Sequence, residues 1–198
     1  IINSRVGIQP DISSGIVPTM LYSTKKSVDQ INKTEFEKLP AEDVIEYEAS
    51  YEIVGERISK MRDVDFDRFK EQVDKENNYE RVLQLSAGAQ VMLLKNIDQE
   101  KGLVNGSRGV VVSFDQDLPI VKFINGEIET VNYQEYSYEI SSVSTIVAKQ
   151  VPLSLAWCST IHKSQGQSLD YVKINIGKGI FEYGQTYVCL LYTSPSPR

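Results

Sequence analysis

Five short strand-like runs crowd the stretch between Leu83 and Val151, and they limit what the chain can become. Gln90-Val91-Met92-Leu93-Leu94 and Gly109-Val110-Val111-Val112-Ser113-Phe114 are rich in aliphatic and β-branched residues, which suit a pleated, half-buried surface. Asp115-Gln116-Asp117 reads as a turn into Ile120-Val121-Lys122-Phe123. Asn125-Gly126 is a type I′ hairpin signal, since both residue types tolerate positive φ, and it leads into Ile128-Glu129-Thr130-Val131. A last strand is expected within Ser144 to Val151. Strands this short at this spacing suggest a small barrel, and the pattern by itself supports a small all-β unit.

The flanks read differently. Thr19-Met20-Leu21-Tyr22-Ser23 is a short apolar run consistent with a buried strand. A polar turn, Thr24-Lys25-Lys26-Ser27, precedes a helical pattern opened by Val28, Ile31 and Asn32 and continuing through Phe36 and Leu39, with Ser27 as its N-cap and Pro40 as its stop. On the far side, the apolar run from Val151 to Trp157 leads into Ser159-Thr160-Ile161-His162-Lys163-Ser164-Gln165-Gly166-Gln167-Ser168-Leu169, and the alternating run from Tyr171 to Ile176 leads out as a strand. If Leu155 to Ser164 is helical, Leu155, Cys158 and Ile161 share one face. Between Glu42 and Glu80, Val44 to Ala49 alternates loosely as a strand. After Asp65, the spacing of Phe66, Phe69 and Val73 predicts an amphipathic surface helix with one thin apolar face.

With 198 residues and 41% hydrophobic content, the chain can bury a core as one domain or two small ones. No apolar run reaches membrane-spanning length, and no basic n-region precedes an apolar h-region. The expectation is an intracellular protein without a membrane partner, in the cytoplasm of a prokaryote or the nucleus or mitochondrion of a eukaryote. Cys158 and Cys189 form neither a metal spacing nor a disulfide framework, and the single histidine, His162, argues against a zinc site. The net charge of -6 is uneven: thirteen acidic and six basic residues lie between Glu42 and Glu80, which leaves fourteen acidic against fifteen basic elsewhere. Charge therefore neither supports nor excludes a nucleic acid, and binding would rest on local clusters.

Three polar stretches are candidate binding elements. The one from Ser159 to Leu169 places donors on a tight, glycine-containing turn between buried elements, which suits a phosphate or sugar backbone. At Lys25 and Lys26, a strand–turn–helix arrangement lets a basic side chain face a bound phosphate. In Asn105-Gly106-Ser107-Arg108-Gly109 the glycines permit close backbone approach, and Ser107 and Arg108 can donate to a phosphate. Each also has a plain reading as solvated polar residues on a turn.

Thr160-Ile161-His162-Lys163-Ser164-Gln165-Gly166 resembles the fifth motif of the PIF (petite integration frequency) and RecD-like superfamily-one helicases. Leu21-Tyr22-Ser23-Thr24-Lys25-Lys26, Gly88 to Asn96 and Leu103 to Gly109 resemble the same family in the same order, so the resemblance covers roughly Pro18 to Val188. It implies an α/β fold: a second RecA-like helicase domain of the P-loop NTPase type, interrupted by a small Src-homology-three-like β-barrel. Residues 1–82 would be the first part of that domain, 83–151 the barrel, 152–188 the return, and 189–198 a non-native tail. It also implies a 5′ to 3′ DNA helicase driven by ATP and Mg2+, acting as a monomer on single-stranded DNA and DNA forks. Lys25 or Lys26 would approach the nucleotide, as would Gln165, Gly166 and Gln167. Thr160, His162 and Lys163 would contact DNA, with Asn105, Ser107 and Arg108 on its backbone.

The family's sixth motif carries an arginine that reaches the γ-phosphate, and Tyr192 stands at that place here. The run from Cys189 to Arg198 resembles a translated sequencing adapter, so the expectation is a native chain that continues differently past Val188. The sequence also contains no Gly-x-x-x-x-Gly-Lys-Ser/Thr loop. The expectation is a carboxy-terminal fragment, unable to hydrolyse ATP alone, with magnesium held by residues outside it. A non-catalytic single-strand-binding module and an interaction scaffold built on the acidic segment are the competing readings.

Overall fold

β1 (Thr19–Tyr22) is the expected short buried strand, and it forms the centre of a three-stranded parallel sheet. The computed structural model describes residues 15–40, 43–55, 63–142, 144–164 and 172–174. Leu21 and Thr19 are fully enclosed, as parallel strands covered on both faces require. α1 (Lys25–Phe36) follows almost at once. Its cap is Thr24, in extended backbone, and not the expected Ser27, which lies within the first turn and accepts a hydrogen bond from the Thr24 hydroxyl at 2.8 Å.

The β-rich region is larger than expected. β2 (Ile45–Glu48) and β3 (Ser50–Gly55) precede α2 (Asp63–Glu76), the predicted amphipathic helix. Its Val73 is fully buried, with Phe66 and Phe69 packed around the same core. β4 (Val82–Leu85) returns to pair antiparallel with β2. β5 (Gln90–Leu93), β6 (Arg108–Asp115), β7 (Leu118–Phe123) and β8 (Ile128–Thr130) then form an antiparallel meander close to the expected positions.

β9 (Gln134–Ser141) has no counterpart in the expected strands, and β10 (Ser144–Gln150), which has one, joins a different sheet, ordered β3-β10-β9. β11 (Leu153–Leu155) adds an edge strand to the five-stranded sheet by pairing with β5. Hydrogen-bonded ladders thus cross both expected boundaries, at 83 and at 151. β12 (Cys158–Thr160), α3 (Ile161–Ser164) and β13 (Val172–Ile174) complete the order, and β12 and β13 flank β1 in parallel. The helix considered across Leu155 to Ser164 is thus two short strands and one helical turn. Parallel pairing with β1 overrides the local pattern, and the Thr19 hydroxyl and Met20 amide fix it by donating to the carbonyls of Ala156 and Trp157.

Two hairpins exchange roles relative to the sequence signals. The β7–β8 loop holds three residues, Ile124 to Gly126, with positive φ at Gly126 alone, so it is not the type I′ turn that Asn125-Gly126 suggested. Adjacent positive φ values occur instead at Gln116 and Asp117, in the two-residue β6–β7 turn. The Tyr47 hydroxyl donates to the Asp117 carbonyl at 2.6 Å and supports that turn.

Buried amide side chains join the layers. The Gln150 amide, fully enclosed, donates to the carbonyls of Tyr47 and Glu80 and accepts from the Val151 amide. Gln90 accepts from the Val17 amide and donates to the Gly15 carbonyl, so the segment entering β1 is held to the five-stranded sheet. Under that sheet lie Leu85, Val91, Leu93, Val121, Phe123 and Leu153. A smaller core under α2 holds Val73, Ile146 and Ala148 with the rings of Tyr79 and Tyr136, in contact at a 40° tilt. Among the described residues, no helix is long and apolar enough to cross a membrane.

Gly109 sits where β6 packs tightly against β7. A Cβ there would lie 2.8 Å from the Lys122 carbonyl oxygen and 2.5 Å from a Val121 methyl. Gly109→Ala is expected to destabilise the fold by about 1–3 kcal/mol through overpacking, read as a lower urea midpoint at an unchanged slope.

Candidate functional site

A cleft of about 420 Å³, open solvent included, separates the parallel sheet from the β-rich region. One wall is α1, through Lys25, Val28, Asp29 and Asn32. The end of β12 and the turn into α3 supply Cys158, Ser159, Thr160 and Lys163. Opposite stand Asn78 and Glu80, from the segment entering β4, with Met92 and Leu94 at the floor.

Each wall follows from local sequence. Val28, Asp29 and Asn32 recur at helical spacing after Lys25, so they share one face of α1. Thr160 ends β12 and its hydroxyl accepts from the Lys163 amide at 3.1 Å, the geometry of an N-cap closing a helical turn. The Ser164 hydroxyl, enclosed, donates back to the Ile161 carbonyl at 2.8 Å. Lys163 is thereby placed on a short, internally bonded turn with its side chain exposed toward the cleft.

The cleft unites residues expected to serve different ligands. Lys25, one of the two lysines expected at the nucleotide, lines it together with Thr160 and Lys163, expected at DNA. Lys26 is exposed and is not among its lining residues. His162 follows on α3, and Gln165, Gly166 and Gln167 lie outside the described residues.

The second expected DNA element lies on the β5–β6 loop and does not line this cleft. Asn105 is exposed, and its backbone amide donates to Asn96 Oδ1 at 2.8 Å. The Ser107 hydroxyl donates to the Gly102 carbonyl and accepts from the Val104 amide, so it shapes the loop. Arg108 corrects the expectation of a surface donor. It is 1% exposed, and its guanidinium donates to the Val17 carbonyl. Buried charge needs hydrogen-bonding partners, and here Arg108 bonds the interior rather than presenting itself to a phosphate.

Among the described residues, no group of three or more His, Cys, Asp or Glu side chains gathers as a metal site.

Residues 68–114 match the family model described as DNA helicase Pif1, 2B domain. The ATP-dependent DNA helicase PIF1 of Danio rerio is 40% identical over 180 residues, covering 89% of this chain and 26% of that protein. Over most of its length the chain is similar to Pif1 helicases. The Homo sapiens Pif1 helicase is 34% identical over the same length, again covering 26% of its own chain. The chain thus spans about a quarter of the length of these curated relatives.

Among solved structures, Pif1 helicase from Candida albicans superposes with a TM-score of 0.70 at 31% identity, covering 93% of this chain and 44% of that one. Pif1 helicase from Bacteroides in complex with ADP-AlF3 and ssDNA superposes with a TM-score of 0.57 at 27% identity, over 92% of this chain and 39% of that one. The fold is therefore that of the RecA-like Pif1 helicases.

Sequence reasoning missed Asn32, Asn78 and Glu80. Asn32 carried a usable signal, since it stands two helical turns after Lys25 on the face that also holds Val28. Asn78 and Glu80 carried none, because their place depends on how the β-rich region folds back over α1.

Cys158 borders the cleft yet is 1% exposed, and burial pushes its thiol from an ordinary 9.0 up to about 12. The thiolate is the nucleophile, so raising the pKa keeps the thiol neutral through pH 8–9. In native chain at pH 8, peptide mapping after iodoacetamide treatment is expected to find Cys158 unmodified. In urea it is expected to be alkylated.

Proposed function

We propose that this chain is the second RecA-like domain, with its inserted β unit, of an ATP-dependent DNA helicase that moves 5′ to 3′ along single-stranded DNA and opens forks. The observation that carries the reading is the cleft in which Lys25 faces the same space as Thr160 and Lys163. A motor needs nucleotide state to bias its grip on the strand, and one space bordered by both sets of residues suits that need. Relatives named ATP-dependent DNA helicase PIF1, and a Pif1 neighbour solved with ADP-AlF3 and ssDNA, support it.

In this reading Lys25 serves the nucleotide. It opens α1, where the Thr24 hydroxyl turns to Ser27 and makes no cap to a backbone amide. Its ammonium and the helix N-terminus both favour a phosphate. Lys163 serves the DNA backbone as a point charge on a rigid turn, and Thr160 positions that turn. Gln165, Gly166 and Gln167 complete the nucleotide side, and His162 the DNA side. Asn105 remains an exposed candidate for the backbone, whereas Ser107 and Arg108 act by holding their loop. Magnesium would be held by carboxylates elsewhere in the intact enzyme. The Src-homology-three-like unit corresponds to the five-stranded sheet with the β2–β4 ladder, inserted between β1 with its helix and β12.

The test is a titration of labelled oligothymidylate with this chain across a salt series. Binding is expected to weaken linearly in log salt, and Lys163→Ala is expected to reduce the slope by about 0.7, one phosphate on a single strand. Lys26→Ala should leave both affinity and slope unchanged. Absence of salt-dependent binding, or a Lys163→Ala slope equal to the parent's, would refute the assignment.

A further inference from the structure

We propose that Asn32 is a positioning residue that fixes the Thr160–Lys163 turn against the helix carrying Lys25; this deepens the function proposed above and rests on it. The Asn32 amide nitrogen donates to the Cys158 carbonyl at 3.0 Å, and its oxygen accepts from the Cys158 amide at 2.8 Å. One side chain thus satisfies both polar groups of a single peptide position, across 126 residues of sequence.

The geometry explains why Cys158 is the position held. β12 pairs with β1 along one edge, and there Trp157 supplies the carbonyl that the Met20 amide reaches. Successive residues of a parallel strand address opposite neighbours, so the polar groups of Cys158 point to the outer edge. Among the described residues no strand occupies that edge. The Asn32 amide takes the place of a neighbouring peptide and makes both bonds that such a strand would make.

The consequence is mechanical. Asn32 lies two helical turns from Lys25 on the cleft face of α1, and Cys158 lies two residues before Thr160. A shift of α1 that follows a phosphate at Lys25 is passed through Asn32 to β12, and from its end to Lys163. An apolar residue at 32 would take both of these bonds from Cys158 and with them the link between the two elements.

Asn32→Asp tests this with little change in shape. It keeps an acceptor for the Cys158 amide but sets a carboxylate oxygen against the Cys158 carbonyl. Phe36→Leu is the control, since it loosens the same helix where it packs on the main core and away from the cleft. Hydrogen exchange and oligothymidylate affinity are measured on the full chain at temperatures where each variant is folded.

For Asn32→Asp, exchange in 158–164 is expected to accelerate, and affinity to fall by about fivefold to tenfold, the scale of one hydrogen bond. Phe36→Leu should change neither. Unchanged exchange in Asn32→Asp, or equal effects in Phe36→Leu, overturns the proposal. If the parent chain binds no oligothymidylate, the helicase reading fails, and the exchange comparison alone then decides whether Asn32 positions the turn.

Discussion

The parallel pairing of β1 with β12 is the constraint on which the rest of the structure depends. It brings together residues as far apart as Thr19 and Ala156, which are 137 positions apart in sequence and joined by a hydrogen bond. Closing a flexible stretch that long costs only logarithmically in its length, and the cost is smaller still where the stretch has a core of its own. The β-rich region meets that condition with its enclosed Leu, Val and Phe residues. Once β12 is docked, the α1 face, the Thr160 cap and the floor at Met92 and Leu94 have nowhere else to meet.

Legibility in the sequence followed the range of the forces involved. β1, α1, α2 and four strands of the meander were readable because their apolar spacing is local. Leu21, Val73, Val91 and Phe123 are buried as their pattern requires. β9 was legible but missed: Tyr136, Tyr138 and Ile140 alternate with Ser137, Glu139 and Ser141 and are its more buried residues, and only its pairing partner was beyond the reach of local pattern. Its register is set by β10 across the hairpin. The type I′ signal at Asn125-Gly126 failed for a related reason. The β7–β8 register admits three loop residues, whereas Gln116-Asp117, a poor dipeptide for positive φ, is held by a tyrosine far along the chain.

The site shows the same division. Of the residues that motif resemblance picked out, Lys25, Thr160 and Lys163 line one cleft and Lys26 does not. The resemblance also picked out Arg108 as a surface donor, and the fold buries it. An arginine between a serine and a glycine on a turn reads as exposed unless the partner of its guanidinium is known. That partner, the Val17 carbonyl, comes from a segment with no periodic signal at all. Asn32 is the converse case, a residue of ordinary appearance whose importance lies in the peptide it holds.

The attachment of residues 15–17 to the β-rich region by Gln90 and Arg108 has a further consequence. As an insertion, that region is joined to the parallel sheet covalently at two points, after α1 and through the short passage from β11 to β12. The hydrogen bonds to Gly15 and Val17 add a third connection, on the entry side of β1. A third strut resists the hinge motion that two covalent links alone would allow. The inserted unit is therefore geared to the strand at the centre of the parallel sheet, and a torque applied to either part reaches the other without first being lost in a flexible joint.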